Sequence, residues 1–199
     1  MKTFPFYPQS TLESCGIACM LMIMKYFGID THPDPVKEMN LYKQYGADCT
    51  AGTLGSSLAY ALSRRRMNVT LVHSSAQMIE NRNGYYSDEL HRAMLAEYQA
   101  DIERAEGSFH VETGTDTGCD RLRHELEQNR VLIVQCFVEG DADGMHDHVL
   151  HWVVAYGFKN GQFLVCDPLS GKLRLSEKEL SEYMDTPLGA CFLSVSKKR

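Results

Sequence analysis

The spacing of apolar residues changes once along this chain of 199 residues, and that change limits what it can fold into. Ahead of residue 130 the recurrence is helical. Ile17, Met20, Leu21, Met24 and Phe27 follow one another at three and four residues and end at Gly28, a candidate C-cap. Leu54, Leu58, Ala61 and Leu62 repeat the pattern behind Gly52 and Thr53, with Thr53 as candidate N-cap. Asp34 and Pro35 open a short polar helix, and 121–129 reads as another. After residue 130 the texture is that of strands, over 131–138, 151–158, 162–167, 172–175 and 191–195, with 68–72 as an earlier one. Lys159-Asn160-Gly161 is a hairpin turn, and Ser176 caps a short helix running to Met184. Helices first and an antiparallel sheet second make an α+β fold.

Between about residues 74 and 118 the composition turns polar and charged. Leu90, Met94, Tyr98, Ile102 and Ala105 recur at helical spacing from Ser87 to Glu106, so this stretch reads as an insertion built around one long amphipathic helix. A chain of this length suits a single domain, 1–199, carrying that insertion. Hydrophobic residues at 44% and charged residues at 23% are globular values. A net charge of −6 and a pI near 5.7 give no pull toward nucleic acid or an anionic membrane, and Arg64-Arg65-Arg66 reads as a solvated turn end. The start, Met1-Lys2-Thr3-Phe4-Pro5, lacks the pattern of a secretory signal, and the longest apolar run, 17–24, is too short to span a bilayer. Seven cysteines without a CxxC pair argue against a disulfide framework and for a reducing, cytoplasmic setting.

Cys15 stands at a helix start, where the partial positive charge of the backbone favours a thiolate. Gly16 behind it removes a side chain where a substrate backbone has to come close. The amide of Cys15 can face an oxyanion, and Gln9, on the extended arm 4–9 punctuated by Pro5 and Pro8, can supply a second donor. A base must be held rigidly, and His151 at the head of His-Trp-Val-Val-Ala-Tyr-Gly suits this. Asp167, at the end of the following strand, can fix its tautomer. Gln, Cys, His and Asp in that order is the papain-like order.

The segment Gln9-Ser-Thr-Leu-Glu-Ser-Cys15-Gly16-Ile-Ala18-Cys-Met-Leu-Met22 resembles the N-terminal motif of the C39 peptidases, papain-like enzymes that cleave double-glycine leaders from bacteriocins and related peptides. His151 to Gly157 followed by Val165-Cys-Asp167-Pro168 resembles that family's His strand and Asp-Pro turn, and Gly52-Thr53-Leu54 its intervening segment. The resemblance assigns Gln9 to the oxyanion hole, Cys15 to nucleophile, His151 to base and Asp167 to orienting the base. It implies a papain-like fold and a peptide or protein substrate, and leader cleavage would require narrow subsites beside the scissile bond. Ser14 stands where the family often has an acidic residue; the insertion is larger than a compact leader peptidase needs; and no transporter domain follows.

Other readings stand beside this one. His146 and His148 are rivals to His151, and the three together suggest a metal site, although no acidic or cysteine ligand pairs with them and no cofactor is called for. Asp167 before Pro168 can be a turn residue, and Gln9 a surface amide. Cys19 can be a resolving thiol on the face of Cys15 but reads better as core, as do Met20, Met22 and Met24. The loop 139–148 and the helix 87–106 are candidates for covering a substrate. The same Cys-His-Asp set also serves an acyltransferase or a glutamine deamidase, and a non-catalytic peptide-binding module is the third class. Oligomeric state is not legible.

Overall fold

The structure, a computed structural model, describes residues 3–29, 32–139 and 148–198. Helix α1, Cys15–Tyr26, is buried at every position from Cys15 to Met24, so it is wrapped on all sides and is not a surface helix with one apolar stripe. It ends in a Schellman turn: Gly28 at φ +71° donates to Lys25 O and Ile29 to Met24 O. Helix α2, Pro35–Tyr45, opens on Asp34, whose carboxylate accepts from the Lys37 amide at 2.9 Å. Helix α3, Gly55–Ser63, starts one residue later than Thr53 would set it. Leu54 is the N-cap, while the Thr53 carbonyl accepts from Trp152 Nε1 at 2.9 Å.

Among the described residues there are seven strands, β1 Met67–His73, β2 His110–Glu112, β3 Val131–Glu139, β4 His148–Lys159, β5 Gln162–Asp167, β6 Gly171–Ser176 and β7 Cys191–Lys197. They form one sheet in the order β2-β1-β7-β3-β4-β5-β6, antiparallel except for β1 and β2. The insertion is therefore not wholly helical. Besides α4, Asp88–Ala105, capped by Ser87, it contributes β2 to the sheet edge. The hairpin joining β4 and β5 carries Asn160 at φ +53° and Gly161 at φ +74°, the two positive values a tight two-residue turn needs. Helices α5, Cys119–Glu127, and α6, Glu177–Met184, complete the α+β fold, with a full capping box at Ser176 and Glu179.

Alternation along β4 divides the interior in two. Trp152 and Val154 join α1 and α3, whereas Val153 and Ala155 join Leu122 of α5 and Leu180 and Met184 of α6. The sheet is thus covered on both faces, and α1 meets β4 directly. That contact sets the candidate site. Among the described residues no helix is long and apolar enough to cross a membrane.

Candidate active site

Cys15 is the first residue of α1 and is buried. Ser14, just ahead of it, turns its hydroxyl back to Thr11, donating to the Thr11 carbonyl at 3.0 Å and accepting from the Thr11 amide at 3.1 Å. Ser14 therefore makes no side-chain cap on α1, and the first amides of the helix are left for another acceptor.

His151 lies inside β4, three residues beyond its start at His148, and is opposite Cys136 of β3. Its Nε2 is 2.8 Å from Asp167 Oδ1, and the Cys15 thiol lies near enough to the same ring to act on its titration. With Nε2 facing the carboxylate, Nδ1 is the nitrogen left for the sulfur. Asp167 Oδ1 also accepts from the Leu169 amide at 2.7 Å.

A register shift lies between the hairpin and this pair. Next to the hairpin Lys159 faces Gln162 and Phe158 faces Phe163, but past an irregularity between Ala155 and Gly157 the pairing becomes Ala155 with Val165 and Val154 with Cys166. Continuing that register sets Asp167 opposite Val153, two residues from His151 and on the same face.

The electrostatics follow from the pairing. Burial alone would depress the His151 pKa, yet the hydrogen bond to Asp167, and after it the Cys15 thiol, raise it to about 9. Burial pushes Asp167 up, and the His151 ring together with the Leu169 and Ser170 amides outweighs this and holds it below the usual carboxylate range. An imidazolium beside the Asp167 carboxylate is thus favoured at neutral pH.

Gln9 is brought to the same place by the backbone, its amide donating to Pro168 O at 3.0 Å. Its side chain, however, spends Nε2 on Thr11 O at 2.9 Å and Leu12 O at 3.2 Å, while Oε1 is buried without a partner. Glu38 of α2, a residue with no sequence signal, holds the arm on both sides of Gln9. Its fully buried carboxylate accepts from Tyr7 Oη at 2.7 Å, Ser10 Oγ at 2.5 Å and the Ser10 amide at 2.9 Å. Gly16 also has a role other than the one its position suggests. A Cβ there would stand 3.1–3.2 Å from Leu58, Thr53 and Trp152, so the glycine lets α1 pack against α3 and β4.

Cys19 is fully buried, donates to Trp152 O at 3.2 Å and has its pKa pushed well up by burial. All seven cysteines are free thiols. His146 and most of the 139–148 loop lie outside the described residues, and among those described no three potential ligands gather as a metal site. A cavity of about 430 Å³ between the start of α5 and the end of α6 is larger than the cleft of about 60 Å³ at Cys15, but it is lined by Thr117, Cys119, Glu182, Asp185 and their neighbours, with no histidine. Chemistry, not volume, marks the site.

Comparison with known proteins agrees with this reading of the fold. A model of the Peptidase_C39 like family matches residues 4–190. No curated protein matches the sequence. Among solved structures, the peptidase domain of Streptococcus ComA, a bi-functional ABC transporter involved in a quorum sensing pathway, superposes with a TM-score of 0.51 at 12% identity, covering 98% of this chain and 99% of that one. A Bacillus anthracis protein described as a C39-like peptidase superposes at 0.57 with 10% identity, covering 99% and 96%. At such identities the likeness is one of fold.

Proposed function

Because the chain belongs to the Peptidase_C39 like family, we propose that it is a cysteine peptidase with Cys15 as nucleophile, His151 as base and Asp167 as the group that orients the base. The observation that carries this reading is the line from Cys15 through the His151 ring to Asp167, at the start of a buried helix. The Cys15 thiolate attacks the scissile carbonyl carbon, forming a carbon–sulfur bond and moving the carbonyl π pair onto oxygen. Collapse expels the amine, which takes its proton from His151 and leaves a thioester. Water then attacks with His151 accepting a proton, and the acid departs as the thiolate is regenerated.

The Cys15 amide, free at the helix start, is the first oxyanion donor. Gln9 is the second. Its amide has to leave the Thr11 and Leu12 carbonyls as charge develops, so this donor is recruited by the reaction and not preset. The substrate is a peptide or protein, and free thiols throughout fit a reducing compartment such as the cytoplasm.

The test is brief treatment with limiting iodoacetamide from pH 5 to 9, read by intact-protein and peptide mass spectrometry. Cys15 is expected to be labelled first, well ahead of the other six cysteines at pH 6, and to lose that lead in His151→Ala. If Cys15 shows no lead in the unaltered chain, the peptidase reading fails and a peptide-binding module takes its place.

A further inference from the structure

The arm ahead of α1 is fastened at several points, each from a different part of the fold. At its start the Phe4 ring stacks on Tyr156 of β4 with centroids 4.6 Å apart and packs against Tyr26 of α1 at 5.0 Å. At its far end the Gln9 amide donates to Pro168 O at 3.0 Å, which joins the arm to the turn that follows Asp167. Between Gln9 and Cys15 the chain closes on itself, because Ser14 Oγ holds both the amide and the carbonyl of Thr11. The place of Gln9 relative to Cys15 therefore depends on a short closed turn and on whatever keeps residues 7–10 still.

Glu38 keeps them still. It sits near the capped start of α2, where its own amide donates to Asp34 O at 3.0 Å, and Leu41 of the same helix belongs to the core, so the element that carries it is fixed. Its wholly buried carboxylate is compensated by donors from Tyr7 and Ser10. Burying a carboxylate is costly, and an apolar side chain of similar size would pack α2 against the core with no such cost. What the carboxylate adds is direction. Its bonds go to the residue two before Gln9 and to the residue one after it, and Ser10 is held through both its hydroxyl and its amide. Gln9 itself, with Nε2 on the Thr11 and Leu12 carbonyls and Oε1 buried without a partner, lies between the two held residues.

We propose that Glu38 is a positioning residue for the reaction at Cys15: by clamping Tyr7 and Ser10 it holds the Gln9 backbone, so that only the side-chain amide moves from the Thr11 and Leu12 carbonyls to the developing oxyanion. The clamp does not need the negative charge itself. In Glu38→Gln the amide oxygen can accept from the Ser10 amide while its nitrogen donates to the Tyr7 and Ser10 hydroxyls, which accept as well as donate. The role is one of geometry, and it acts through Gln9. This inference rests on the peptidase reading of Cys15, with Gln9 as its second oxyanion donor.

Two reactions of Cys15 separate this role from a merely structural one. Iodoacetamide alkylates the thiolate by displacing iodide and forms no oxyanion. p-Nitrophenyl acetate acetylates it: sulfur bonds to the carbonyl carbon, the π pair moves onto oxygen, and collapse expels p-nitrophenolate, which needs no proton to leave. Both adducts are read at Cys15 by peptide mass spectrometry on acid-quenched samples, and each variant's acetylation rate is divided by its own alkylation rate. Gln9→Ala should lower that ratio by about 10²-fold. Glu38→Ala should lower it at least about fivefold and Glu38→Gln by no more than about twofold. The pair Gln9→Ala with Glu38→Ala should stay within about twofold of Gln9→Ala alone, since a residue that acts through Gln9 then has nothing to act on. If Glu38→Ala does not fold, Tyr7→Phe combined with Ser10→Ala, which removes both hydroxyl bonds and little volume, takes its place with the same expectation. A smaller loss, a Glu38→Gln ratio as low as that of Glu38→Ala, or losses that multiply in the pair overturn this proposal and leave the peptidase reading standing. An unchanged ratio in Gln9→Ala overturns it by removing the donor through which Glu38 acts. Alkylation of Cys15 no faster than that of the other cysteines overturns the peptidase reading beneath it.

Discussion

Two buried histidines in this chain, each close to a cysteine, behave in opposite ways. His73 at the end of β1 is 2% exposed and His151 in β4 is 4% exposed, so burial does not distinguish them. His73 is bonded through Nε2 to the Tyr98 hydroxyl, and the sheet register sets it opposite Cys191. Burial drives its pKa down to about 4 and pushes the Cys191 thiol up. His151 meets Asp167 instead, and its pKa rises to about 9. A phenol hydroxyl offers a neutral partner where a carboxylate offers a charge, so one ring stays neutral and the other is held as imidazolium. What separates the two rings is the group bonded to each: a buried carboxylate at His151 and a phenol hydroxyl at His73.

The largest effect should separate the pairs. His151→Ala is expected to slow alkylation of Cys15 at neutral pH by roughly 10³-fold, and Asp167→Asn by less, about 10²-fold, because the ring keeps its place but loses its counter-charge. His73→Leu should leave the rate at Cys15 within about twofold. Stopped alkylation with mass-spectrometric readout would measure all three. A His73 variant as slow as His151→Ala would end the distinction between the two pairs.

Stability against pH sharpens the same contrast. His73 has a folded value below its ordinary 6.5, so on acidification the unfolded chain takes up its proton first. Stability is lost as pH falls from about 6.5 to 4, by roughly 3 kcal/mol at the lower end. His151 has a folded value above 6.5, so its contribution is fully present below pH 6.5 and is lost as pH rises toward 9. Urea unfolding can be followed by the chain's one tryptophan, Trp152, which is buried between α1 and α3. His73→Leu should flatten the acid limb and leave the alkaline limb as it was. An unchanged acid limb would mean that the buried neutral ring is not what acid attacks.

Local rules account for what the sequence made legible. Helix α1 with its glycine stop, the capped α6, the Asn160-Gly161 turn and most strands are settled by neighbours within a few residues, as is the place of Cys15 at a helix start. The site's other half depends on distant partners. The contact of Asp167 with His151 depends on how β5 pairs with β4, and of the register shift between them only Gly157, a lone glycine in a strand, gives a local hint. Glu38 looks like any polar residue of an exposed helix until Tyr7 and Ser10 close over it. The parallel β1–β2 pairing was hidden too, since three residues of β2 are too few to establish a strand period.

Gly16 provides the smallest and most discriminating test, because two readings of it predict different observables. As a residue that clears space for substrate, it could become alanine with no cost to the fold. As a packing residue it could not, since the added methyl meets Leu58 Cδ1 at 3.1 Å and Thr53 Cβ and Trp152 Cδ1 at 3.2 Å. Overpacking of this kind costs about 1–3 kcal/mol, and the better helix propensity of alanine returns up to about 1 kcal/mol, so Gly16→Ala should lose about 1 kcal/mol net. The midpoint of urea unfolding measures the loss. Trp152 emission should shift in the folded state as the indole moves from the new methyl, while an unchanged midpoint and spectrum would return Gly16 to the role of making room for substrate.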